Sequence, residues 1–76
     1  MSDGNYLLYL RNQIDKFEHS IDVLEERRGD LECRLIGVPS TDVDRARRIK
    51  KAMAECDQAI RDYRLFIEDA RKECKP

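Results

Sequence analysis

The chain has 76 residues, 41% of them charged and another 41% hydrophobic, with a net charge of −1, three Gly, two Pro and no Trp. So much Glu, Lys, Arg, Leu, Ile and Ala is the composition of long helices and argues against a sheet protein. Disorder is excluded too, because it goes with fewer large apolar residues and a larger net charge. The length allows one domain with a thin core.

The N-terminal stretch Met1-Ser2-Asp3-Gly4-Asn5 is polar and acidic, and the apolar run Tyr6–Leu10 stops at Arg11. A secretory signal needs a basic start and a longer apolar stretch. A membrane span needs roughly 20 apolar residues. The expectation is therefore a cytoplasmic protein without membrane contact. Cys33, Cys56 and Cys74 fit a reducing compartment, since an odd, widely spaced set makes a poor disulfide framework.

Apolar residues then fall at Leu7, Leu10, Ile14, Phe17, Ile21, Leu24, Leu31 and Leu35. The steps alternate between three and four, which predicts a helix over about residues 4–36 with one apolar seam. Arg28 interrupts the seam beside Gly29, a residue that costs a helix about 1 kcal/mol relative to Ala. The Arg28 stem is expected to pack along the seam with its head in solvent. A phosphate- or partner-binding Arg beside a point of close backbone approach at Gly29 is the alternative.

Residues 37–41 form the predicted turn. Gly37 suits the left-handed position after a helix end, and Pro39 cannot continue a helix. Ser40 or Thr41 is expected to cap the next helix, and Thr41 with Asp44 resembles a capping box. Asp42 and Asp44 add negative charge at the positive end of the helix dipole. Stop and start signals so close together force the two helices to be antiparallel neighbours.

The second helix is expected over about residues 42–74, with its seam at Ala46, Ile49, Met53, Cys56, Ile60, Tyr63, Ile67, Ala70 and Cys74. Folding seam on seam sets Leu24 against Met53, Ile21 against Cys56, Phe17 against Ile60 and Leu10 against Ile67. The predicted fold is all-α, a single domain over residues 1–76 built as an antiparallel, coiled-coil-like two-helix hairpin. Ala52, Ala59 and Phe66 form a second apolar line beside the seam, the three-in-seven stripe of a bundle helix. A homodimer in which two hairpins make a four-helix bundle is therefore expected.

Two surface regions qualify as sites. Tyr6, Leu8, Tyr9, Leu65 and Phe66 lie off the seam at the free ends, and such clustered aromatic and leucine side chains are common interface anchors. At the turn end, Arg27, Arg28, Arg45, Arg47, Arg48, Lys50 and Lys51 form a basic pole. Residues 27–51 carry a net charge of +4, whereas residues 1–26 carry −4. Such a pole can attract nucleic acid or an acidic protein surface, although no aromatic residue interleaves it. His19 has no second His or Cys at helical spacing, so no metal ligand set is expected. Neither a nucleophile with its base nor a phosphate-cradling loop is present, so the expectation is a non-enzyme without a cofactor.

One family shares part of the pattern. The stretches Leu7-Leu8-Tyr9-Leu10-Arg11, Ile14-Asp15 and Glu26-Arg27-Arg28, then Gly37-Val38-Pro39 and Asp42-Val43-Asp44-Arg45, resemble the first helix and turn of the all-helical chorismate mutases. The resemblance covers about half the chain. It implies that Arg11, Arg28 and Arg45 grip substrate carboxylates. The chain departs from that pattern in having no Lys between Lys16 and Lys50, and in having Ala46 where the family places a glutamate. The family's third helix has no counterpart in these 76 residues.

The function these features predict is a small non-catalytic protein–protein interaction module. It would be an adaptor, regulator or inhibitor of the kind that phages and other mobile elements encode. A dimeric nucleic-acid-binding regulator using the basic turn end is the alternative, and a chorismate-mutase-like protein the lower one.

Overall fold

The computed structural model describes residues 2–74, so residues 1, 75 and 76 of the expected domain lie outside the described range. Two helices, α1 (Ser2–Ile36) and α2 (Val43–Cys74), pack against each other as a helical hairpin. The hairpin measures 62 × 14 × 14 Å. Tyr6 at one end of α1 meets Glu73 at the far end of α2, and Arg28 meets Asp57, so the helices run antiparallel.

The exit from α1 differs from the expected left-handed glycine. The Gly37 N–H donates to the Arg34 carbonyl and the Val38 N–H to the Leu35 carbonyl, both at 3.1 Å. These three-residue bonds tighten the last turn and use two carbonyls that the helix itself leaves without partners. No described residue has a positive φ. The entry to α2 also differs. Pro39 accepts from the Asp42 N–H at 3.0 Å, and this turn makes Asp42 the last residue before the helix. Its Oδ1 accepts from the Arg45 N–H at 3.3 Å, and its carbonyl accepts from the Ala46 N–H at 3.2 Å. Asp42 is therefore the cap, in place of Ser40 or Thr41; aspartate ranks among the best caps. Asp44 stands in the first turn, where its charge suits the dipole.

Gly29 lies inside α1 with nothing within 4 Å of where a Cβ would stand. The hairpin itself therefore makes no close backbone approach there. A Cβ on Gly37 would meet only the Arg34 carbonyl oxygen, at an ordinary 3.6 Å. Gly29→Ala should stabilise the protein by about 1 kcal/mol through helix propensity. Gly37→Ala should add about 0.4–1 kcal/mol by restricting the unfolded chain. Urea midpoints read both effects.

The core is one line of side chains. Leu10, Ile21, Cys56, Ile60, Ile67 and Ala70 are buried, and all six belong to the predicted seams. Ile14, Phe17, Leu24 and Tyr63 pack against the cluster of Ile21, Ile60 and Ile67. Towards the turn, Leu31, Leu35, Ala46, Ile49 and Met53 are half-buried. The ring of Phe17 lies 5.3 Å from that of Tyr63 and 5.8 Å from that of Phe66. The aromatic contacts thus run about one helical turn further along α2 than the Phe17–Ile60 opposition anticipates. A slip of one turn keeps seam on seam, so the heptad pattern alone does not select between the two registers.

Candidate interaction faces

A helix pair has two lateral grooves, and in this hairpin they differ in chemistry. Along one side Arg71 reaches Glu18 at 2.7 Å, Arg64 reaches Glu25 at 3.1 Å, and Arg28 Nε reaches Asp57 at 2.6 Å. Glu18 and Glu25 are seven residues apart, as are Asp57, Arg64 and Arg71, so each step of the heptad presents another cross-helix pair. These residues line two contiguous clefts. Exposed pairs of this kind contribute about 0–1 kcal/mol each. Their consequence is a side whose charges satisfy one another. The Arg28 side chain remains 37% exposed; besides Asp57 it contacts Glu32 at 3.4 Å, so its head closes the ladder at the solvent edge.

The opposite side is mainly apolar, with Gln13, His19, Asp69 and Glu73 also lining it. Tyr6, Tyr9, Phe17, Phe66 and Ala70 line its groove at the free ends. Ser20, Val23, Leu24, Ala59 and Tyr63 continue it. Ala52, seven residues before Ala59, extends the same line towards the turn. Tyr9 is 56% exposed and Phe66 58%; Phe66 rests one side of its ring on Phe17 and leaves the rest open. No cross-helix ion pair among the described residues involves these side chains. Tyr6 donates its hydroxyl to Glu73. That bond, with the nearby negative charge, raises the phenol above its ordinary pKa of 10.0.

Leu8 and Leu65 are separated from this strip. Each lies two residues from a buried side chain, Leu10 and Ile67 respectively, about 160° round its helix. They are exposed on the outer backs of α1 and α2. Five of the seven apolar candidates therefore share one face: Tyr6, Tyr9, Ala52, Ala59 and Phe66.

Arg27, Arg45, Arg47, Arg48, Lys50 and Lys51 are all exposed near the turn, together with Arg34. None of them forms an ion pair among the described residues. The ladder residues Glu18, Glu25, Asp57, Arg64 and Arg71 are absent from the sequence-derived sites. Their seven-residue spacing was visible, but pairing them requires the register.

The arginines singled out by the chorismate mutase resemblance are not gathered together. Arg28 is engaged by Asp57 and Glu32, and Arg11 lies about 25 Å away along α1 at 1.5 Å per residue. Among the described residues, no group of three His, Cys, Asp or Glu is placed to hold a metal ion, and no helix is long and apolar enough to cross a membrane. Comparison with protein-family models, curated proteins and solved structures finds no match to this chain.

Proposed function

We propose that this hairpin is a non-catalytic protein-interaction module, an adaptor, regulator or inhibitor that acts by occupying a surface on another protein chain. The observation that carries this proposal is its two-sidedness. One lateral groove is closed by a ladder of ion pairs, while the other presents Tyr6, Tyr9 and Phe66 uncovered beside the half-buried Ala59. Leaving large aromatic side chains in water forfeits about 25 cal/mol for each Å² that could be buried. A strip in which Ala52, Ala59 and Phe66 recur every seven residues is the shape into which another helix packs. The assembly we propose is a homodimer, two hairpins stacking these faces into a four-helix bundle. Leu8 and Leu65 stay outside that contact, free for a further protein.

Phe66→Asp and Tyr9→Asp test this directly. Each should abolish dimerisation while far-UV circular dichroism keeps its helical form. Arg64→Glu, on the ion-paired side, should leave assembly intact. Equal behaviour of the two sides would refute the proposal.

The seven exposed basic residues at the turn end, unpaired among the described residues, support a second reading, a dimeric nucleic-acid-binding regulator. It predicts retention of RNA or DNA that falls steeply with salt and is lost in Arg47→Glu/Arg48→Glu. No retention at low salt would dismiss it.

A further inference from the structure

The uncovered face changes along its length in both bulk and charge. At the free ends it is broad and aromatic, with Tyr6, Tyr9 and Phe66 beside Asp69 and Glu73. Its middle sets the small Ser20 and Ala59 among His19, Val23, Leu24 and Tyr63. Towards the turn it narrows to Ala52, near the exposed Arg45 and Arg48. The whole chain follows the same gradient, with a net +4 over residues 27–51 and a net −5 over the remainder.

We infer that the occupant of this face is a second copy of the chain laid on it end for end, about a two-fold axis passing at Ser20 and Ala59. This rests on reading the face as an assembly surface and adds its partner, direction and register. The seven-residue spacing makes the arrangement self-consistent. A two-fold at Ala59 sets Phe66 of each copy over Ala52 of the other, so a large side chain meets a small one. It also brings Arg45 level with Glu73, and Arg48 within one residue of Asp69. On α1 the same axis, at Ser20, sets Tyr6 level with Arg34 and Tyr9 level with Leu31, which adds a cation over an aromatic ring. Ser20 and Ala59 are the smallest side chains at the axis, beside Val23 and Tyr63. Laid the same way round, the copies would instead stack aromatic end on aromatic end and +4 on +4. Like charges opposed across an interface select against that pairing.

The size is sufficient. A face of 62 by 14 Å offers roughly 800 Å² per copy, that of a standard specific interface. A two-fold contact uses the same patch on both partners, and a single uncovered face supplies that.

The direction can be read with a spin label. Cys33 is exposed and Cys56 buried, so in Cys74→Ser Cys33 is the accessible thiol. It lies 13 residues from Ser20. End-for-end packing therefore predicts a label-to-label distance of about 40 Å in the dimer, at 1.5 Å per residue. A distance below about 25 Å, the span of two stacked helices, would overturn the orientation while leaving the dimer. A chain that sediments at 9.0 kDa would overturn both. A second variant reads the charge pairing. Arg48→Glu should weaken the dimer about tenfold, and Asp69→Arg in the same chain should restore it. An unchanged dissociation constant in Arg48→Glu would overturn the pairing.

Discussion

Ile60→Ala should cost the protein about 2–3 kcal/mol, seen as a lower urea midpoint with an unchanged slope. Ile60 is 7% exposed and sits in the cluster with Ile21 and Ile67. Removing three carbons forfeits about 0.8 kcal/mol for each. A cavity normally adds to this, and large-to-small core changes of this kind span about 2–5 kcal/mol. The low end applies because the core is a single layer with no fully buried side chain among the described residues, so water reaches the vacated space. The loss is still large for the molecule. Domains have roughly 0.05–0.15 kcal/mol of stability per residue, so one substitution removes about a fifth or more of the total. An unchanged midpoint would mean that α2 does not pack on α1 through Ile60.

Phe17→Ala should cost more, about 3 kcal/mol, and should also disturb the candidate face. Phe17 is half-buried, which holds it to the low end of the usual 3–5 kcal/mol for Phe→Ala. Its ring contacts Tyr63 and Phe66 at 5.3 and 5.8 Å. Each such aromatic pair contributes about 0.5–1.5 kcal/mol beyond area alone. A double-mutant cycle between Phe17→Ala and Phe66→Ala isolates one pair. The register described here predicts clear coupling, because residues in contact are non-additive. Additive costs would place Phe66 away from Phe17 and return the helices to the alternative register. Losing Phe17 also removes the support on which Phe66 rests, so dimerisation should weaken in the same variant.

The seams were legible from sequence because a helix repeats its burial every three or four residues. All six buried apolar residues, from Leu10 to Ala70, lie at positions that this rhythm marks. The helix limits were legible to within two residues because Gly37, Pro39 and Asp42 punctuate the chain. Register was not legible. Phe17 opposite Ile60 and Phe17 opposite Tyr63 satisfy the same apolar pattern, and only packing of particular rings separates them. The ion-pair ladder went unseen for the same reason: Glu18 and Arg71, or Glu25 and Arg64, are distant in sequence and meet only once the register is set. The apolar strip was half legible. Ala52, Ala59 and Phe66 announce themselves by spacing, whereas Leu8 and Leu65 share the apolar character of Tyr6 and Tyr9 but face outward. At the turn, the sequence points to Ser40 or Thr41 as cap and assigns Asp42 only a dipole role; Asp42 caps instead, because the Pro39 turn decides where the helix begins.

These two faces also suggest why so small a chain carries so many charges. On one side, charges pair within the hairpin. On the other, they lie at opposite ends, basic near the turn and acidic near Glu73, where only another molecule can bring them together. A hairpin with a thin core gains most from covering its apolar side, and in the proposed dimer the charge gradient selects the end-for-end arrangement.

Sedimentation equilibrium of the unmodified chain over a range of concentrations tests the central claim most directly. Coverage of the aromatic–alanine face by a second copy predicts a mass twice the 9.0 kDa of one chain, falling to the single-chain value in Phe66→Asp. A single-chain mass for the unmodified protein at every concentration would contradict it.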